Sequence, residues 1–169
     1  MQLDSLLKDY TNFNLWANTR MVNWLREKPT ELLYQEVPSS FPSLEKTLLH
    51  LWDGEFIWLE RLNNRPVSDF PSKTFSGSAS DVFNGLLASS EQFNNFVAAL
   101  PEEAFSQPRT YRQFNGEDYA TPCAEIIQHC MNHGTFHRGQ LVTMGRCLGL
   151  TDPPKTDFTL FLREKNNPG

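Results

Sequence analysis

The chain has 169 residues, with 15 Lys and Arg against 20 Asp and Glu and a formal net charge of -5. That length fits a single domain spanning 1–169 and buries roughly 70% of the surface exposed when unfolded, so no metal is needed merely to stay folded. The acidic balance and scattered basic residues exclude a broad nucleic-acid surface, and no apolar run approaches the roughly 20 residues of a membrane span.

The opening stretch, Met-Gln-Leu-Asp-Ser-Leu-Leu-Lys-Asp-Tyr, has acids inside it and neither a basic nor an apolar signal region, so a cytoplasmic setting is expected. From Leu3 to Arg26, apolar residues including Leu7, Tyr10, Phe13, Met21 and Leu25 recur at mostly three- and four-residue steps. They predict an amphipathic helix, ended by Pro29. A polar loop with Pro38 and Pro42 follows. Ser43 then caps a second helix whose apolar stripe runs from Leu44 to Leu62 and which carries His50.

Residues 63–80 hold Pro66, Pro71 and Gly77 with little periodicity, and predict a long crossover. A third helix is expected from Ser80 or Asp81 to Leu100, where Pro101 follows. Between Thr110 and Thr121, the pair Asn115-Gly116 flanked by aromatic residues signals a small hairpin. Thr121 and Pro122 read as the cap and first turn of a fourth helix, which runs to Leu148 with Gly149 in the stop position. After Pro153-Pro154, Phe158 to Leu162 suggest a last short helix. The expected fold is all-α: a four-helix bundle with a long crossover after the second helix and a hairpin before the fourth.

Three of the four histidines, His129, His133 and His137, stand at four-residue intervals in the fourth predicted helix. Four residues advance a helical side chain by about 40° and the axis by about 6 Å, so neighbours in the series project from one face. His133 and His137 offer two imidazole ligands for one ion. A third comes from elsewhere, and His50 is the histidine outside the series. Three imidazoles with one open position suit zinc, nickel, iron or copper, and fit catalytic better than closed structural sites.

His129 sits one turn earlier on nearly the same face; it reads as a residue supporting the ligands or lining a pocket, or as purely structural. Asp53, three residues after His50, is placed to accept a hydrogen bond from a ligating imidazole, or to pair with a nearby base. Arg138 reads either as a contact for an anionic substrate or as an anchor between helices. Cys123, Cys130 and Cys147 lack a Cys-x-x-Cys spacing and read as reduced thiols outside the site.

The string His-Cys-Met-Asn-His-Gly-Thr-Phe-His-Arg-Gly-Gln-Leu resembles the DinB family of damage-inducible bacterial proteins. So do His-Leu-Trp-Asp-Gly-Glu-Phe-Ile-Trp-Leu-Glu-Arg-Leu upstream and Asn14-Leu15-Trp16-Ala17-Asn18 in the first helix. The resemblance covers nearly the whole chain, and Arg138, Gly139 and Gln140 after His137 are its more specific part. It implies a four-helix bundle of DinB/YfiT-like type, often dimeric, within a wider group of metalloenzymes that includes thiol-dependent transferases and isomerases. The metal ligands it implies are His50, His133 and His137.

The expected function is that of a divalent-metal-binding protein, zinc or nickel first and iron or another ion next. It would act as a metal-dependent hydrolase or as a transferase of a low-molecular-weight thiol, and the general acid or base is not identified. The alternative is a non-catalytic, metal-stabilised stress or interaction protein. The expected partners are a small-molecule substrate or thiol and a second copy of the chain, with neither nucleic acid nor membrane.

Overall fold

In the computed structural model, which describes residues 3–167, the amphipathic periods become four long helices: α1 (Leu3–Arg26), α3 (Leu44–Leu62), α5 (Ala79–Ala98) and α6 (Cys123–Cys147). Two short helices, α2 (Thr30–Tyr34) and α4 (Pro71–Thr74), punctuate the connections, and α7 (Phe158–Asn166) closes the chain against α1. A 3-10 turn over Glu102–Phe105 leads into a hairpin of β1 (Pro108–Arg112) and β2 (Asp118–Pro122). No helix among the described residues is long and apolar enough to cross a membrane.

Packing of α1 against α5 and α6, and of α3 against the same two, arranges the four long helices as a ring with α1 and α3 on its diagonal. Their directions follow from two apolar clusters. One gathers the C-terminal part of α1 (Met21, Leu25), the N-terminal parts of α3 (Leu44, Leu48) and α5 (Val82, Leu86), and the C-terminal part of α6 (Leu141, Met144). The other gathers the opposite ends, among them Leu7, Leu62, Val97 and Ile127. So α1 and α6 run one way and α3 and α5 the other, an up-down-down-up order. Because α3 and α5 are parallel, the chain between them must travel back along the bundle, which is why a long crossover is needed.

Between the two clusters lies a polar layer to which every long helix contributes. Glu55 of α3, 3% exposed, accepts hydrogen bonds from Asn14 Nδ2 (2.6 Å) and Asn18 Nδ2 (2.8 Å) of α1 and from Ser90 Oγ (2.6 Å) of α5. Arg138 of α6, 3% exposed, donates to Asn14 Oδ1 (2.6 Å) and Asn18 Oδ1 (2.9 Å). The two asparagines therefore bridge carboxylate and guanidinium. Burial raises the Glu55 pKa against the pull of these donors, and desolvation brings Arg138 down to about 10.

The expected element boundaries need four corrections. The third long helix starts at Ala79, where the Asp81 carboxylate accepts the Ser78 backbone N–H (2.9 Å) and hydroxyl (2.7 Å), and it ends at Ala98, two residues short of Leu100. Thr121 does not cap the last long helix and Pro122 is not in its first turn: the helix starts at Cys123, with Pro122 in the N-cap position and no side-chain cap bond. Both residues belong to β2, with Pro122 opposite Pro108, while the Thr121 hydroxyl meets Tyr111 and the Cys123 N–H donates to Gln107. The loop before Ser43 contains α2, and the crossover contains α4. The last helix extends past Leu162 to Asn166.

Removing one partner from a buried charged network leaves the other uncompensated. Arg138→Met should therefore lower unfolding free energy in urea titrations by about 3–5 kcal/mol. Glu55→Gln, which keeps an acceptor for the asparagines, should cost less, and the reverse ranking would contradict this layer.

Candidate metal centre

The i, i+4 spacing places His133 and His137 on one face of α6, and the packing of α3 on α6 brings His50 across to meet them. Ring centres lie 4.8 Å apart for His50 and His133, 4.6 Å for His50 and His137, and 4.4 Å for His133 and His137. One nitrogen from each ring falls within 4.8 Å of the others, with the Nε2 atoms of His50 and His133 2.9 Å apart. Metal–nitrogen bonds of about 2.0–2.1 Å in a tetrahedral arrangement set ligand nitrogens about 3.3 Å apart. The donor set and its spacing thus fit one divalent ion after small ring movements.

Two neighbours orient the rings. Gln140 Oε1 lies 2.7 Å from His137 Nδ1, while Gln140 Nε2 donates to Ser40 Oγ at 3.1 Å. With its amide held that way, Gln140 accepts the Nδ1 proton and leaves His137 Nε2 with a free lone pair. Gly54 supplies space: a Cβ there would stand 2.7 Å from His133 Cε1 and 3.0 Å from Nδ1, so only a glycine lets this ring rest against α3. Phe41 stacks on His50 with ring centres 4.1 Å apart, and Phe136 meets the His137 edge-on at 5.0 Å.

Burial shapes the titration of the cluster. His50 is brought down to about 4 by desolvation and by the neighbouring His137, and His133 to about 3 by desolvation and by the three other imidazoles. His137 is lowered by burial and partly restored by its bond to Gln140. All three are neutral near pH 7, the form that binds a metal.

The cluster borders a cleft of about 630 Å³, within the range of small-molecule pockets. One wall is the face of α3 that carries His50 and Arg61, His129 and His133 form the floor, and Phe70 of the crossover and Phe114 of the hairpin turn meet at the rim, 5.6 Å apart. A second cleft of about 620 Å³, around Leu3, Glu102 and Glu125, holds no imidazole, so the chemistry of the lining distinguishes the two.

The remaining candidates fall into place around this centre. His129 lines the cleft with its ring 4.8 Å from that of Trp58 and 6.4 Å from that of His133, outside the group of three. Asp53 does not support an imidazole. Its carboxylate accepts the Ser72 N–H at 2.8 Å and pins α4 to α3, because the crossover passes directly over it. Arg138 does not face the cleft; it is the interhelical anchor of the polar layer. Cys130 is buried and its thiol is pushed well above the ordinary value, chiefly by burial. The sequence marks Gln140 only as part of the motif after His137, without its hydrogen bond to that ring one turn away, and Gly54 was missed, its signal being a glycine facing the bulky imidazole face.

An up-down-down-up bundle with three imidazoles gathered beside a cleft defines a helical protein with a candidate metal site. The chain belongs to the DinB family, whose model matches residues 1–168. It is 29% identical over 157 residues to Protein DinB of Bacillus subtilis strain 168, covering 89% of this chain and 90% of that protein.

Among solved structures it is similar to a DinB-like protein from Bacillus cereus ATCC 10987, with a TM-score of 0.66 and 18% identity over 85% of this chain and 91% of that one. It is also similar to Bacillus subtilis YfiT, described as a "probable metal-dependent hydrolase with an unusual four-helix bundle topology". The TM-score there is 0.65 with 11% identity over 85% and 89% of the two chains. At these identities the likeness is one of fold: the DinB/YfiT-like four-helix bundle.

Gly54→Ala should displace the His133 ring and weaken Zn²⁺ binding about 10- to 100-fold in competition with a chromophoric chelator, despite the better helix former. Unchanged affinity would show that the ring does not depend on this gap. Acid should also destabilise the metal-free protein. Unfolded imidazoles take up protons below the ordinary 6.5, whereas folded His50 and His133 resist until about 4 and about 3. Protons therefore favour the unfolded chain in that window, and stability falls as pH drops from about 6.5 toward 4. Melting temperatures at pH 7.5 and 5 should differ less in a His50→Gln/His133→Gln double variant; an equal difference would remove these rings as the cause.

Proposed function

We propose that the protein is a metal-dependent enzyme of hydrolytic chemistry in which His50, His133 and His137 hold one divalent ion, zinc or nickel first and iron next. The observation that carries this reading is the convergence of three neutral imidazole nitrogens within 4.8 Å at the edge of a cleft. The description of YfiT as a metal-dependent hydrolase supports the reaction class. Three protein ligands leave a coordination position open to solvent or substrate. Such an ion, when bound, supplies a nucleophilic hydroxide near neutral pH and polarises a substrate carbonyl.

The chain's own residues prepare that position. Gln140 holds the His137 proton on Nδ1, Phe41 covers a face of His50, and the aromatic rim favours an apolar substrate body over bulk water. Cys130 lies buried beside the polar layer and not in the cleft, so a thiol transferase, the finer alternative, would draw its sulfur from a small-molecule thiol. One observation favours a non-catalytic, metal-stabilised stress or interaction protein instead: among the described residues no carboxylate hydrogen-bonds the three imidazoles, and Asp53 is engaged by Ser72. The proposal includes a cytoplasmic homodimer, for which sedimentation equilibrium should give twice the chain mass of 19.5 kDa.

Elemental analysis should find on the order of one ion per chain in the purified protein and a loss of at least about tenfold in His50→Ala, His133→Ala and His137→Ala. A panel of esters, amides and thiol–electrophile pairs should show turnover that disappears with the metal. Retained activity in metal-free variants would overturn the enzymatic reading. A chelator that lowers the melting temperature steeply, with no turnover of any panel member, would favour the structural one.

A further inference from the structure

The cleft continues beyond the histidines to a second polar group. Arg61 follows His50 by eleven residues on α3, three helical turns or about 16 Å along the axis, and so shares its face. Both residues line the same cleft, and helical side chains lean toward the N-terminus, which brings Arg61 back toward His129 on the floor.

Arg61 is only 4% exposed, yet its charge is not balanced as that of Arg138 is. Its guanidinium carbon lies 4.5 Å from the ring centre of Trp58, 4.8 Å from that of Tyr111 and 5.5 Å from that of Phe114. Aromatic rings satisfy the faces of a guanidinium, but its five N–H donors lie in the plane and need acceptors. One donates to Gln113 Oε1 at 3.0 Å. Nε is buried with no partner among the described residues, and no described carboxylate comes within 4.0 Å. Arg138, equally buried, has two asparagine acceptors and the nearby Glu55. A buried cation without a counter-ion is costly unless a ligand supplies one. The positive charge of Arg61 also contributes, after burial, to lowering the pKa of His129, which places that charge close to the cleft floor.

We propose that Arg61 is the subsite for a terminal oxyanion of the substrate, a carboxylate or a phosphate. The apolar body of that substrate lies against Trp58 and Phe114, and its reacting group points to the three-histidine end. The reacting end rests on the metal-dependent reading above; the anion subsite does not.

The test titrates metal-free protein with 4-phenylbutyrate, 4-phenylbutyl phosphate and neutral 4-phenylbutyramide, following tryptophan fluorescence. At least one anion should bind about tenfold more tightly than the amide, and the tighter anion identifies the source. Arg61→Gln should abolish the preference and Arg61→Lys should retain part of it. Because no ion is present, the carboxylate has no metal to ligate. A His50→Ala/His133→Ala variant should keep the preference, so failure of the metal reading leaves this result distinguishable. Equal binding of all three probes to the wild-type protein, or none, overturns the proposal even if Arg61→Gln does not fold. An unchanged preference in a folded Arg61→Gln also overturns it.

Discussion

A carboxylate buried at the middle of the bundle constrains the rest of the structure. Glu55 is satisfied only when α1 delivers two amides and α5 a hydroxyl, and the same amides satisfy Arg138 only when α6 is in register. Apolar contacts tolerate sliding by a turn far better than such a network does, since a displaced helix would leave charged groups desolvated and unpaired. The two apolar clusters supply most of the area removed from water, while the layer between them selects one alignment of the four helices.

That alignment positions the histidines. Gly54 precedes Glu55 and Arg138 follows His137, so the residues that lock the interior are chain neighbours of those that form the cluster. Turning each helix by one residue, about 100°, moves from the buried layer to the cleft face. Gln140 and Gly54 then refine the rings, one by fixing a proton and the other by leaving room. The candidate centre therefore borrows its rigidity from a network it does not touch.

Local features of this arrangement were legible in the sequence and distant ones were not. The four long helices follow from apolar periodicity, and the pairing of His133 with His137 follows from spacing alone. His50 stood out because it was the histidine outside the series. Of the polar layer only the anchoring alternative for Arg138 was visible, because a glutamate in an apolar stripe reads as a surface position until three other helices provide its partners. Asp53 stayed open between an imidazole and a nearby base for a related reason: its bond to Ser72 depends on the path of an aperiodic crossover. Arg61 was hidden because its cage comes from a hairpin whose register brings Tyr111 and Phe114 over α3. Thr121 and Pro122 carried real cap chemistry, but pairing along the hairpin extended to Pro122 and displaced it.

The up-down-down-up order has an evolutionary consequence. Parallel α3 and α5 force a long connection across the bundle, and that connection, with the hairpin, supplies the rim residues Phe70 and Phe114. Neither segment contributes to the polar layer or to the three imidazoles. Insertions, deletions and substitutions there can recast what the cleft admits while the helices hold the same imidazole geometry. Such a scaffold separates the lining of its cleft from the geometry of its imidazoles along its own chain, so that one can change while the other is kept.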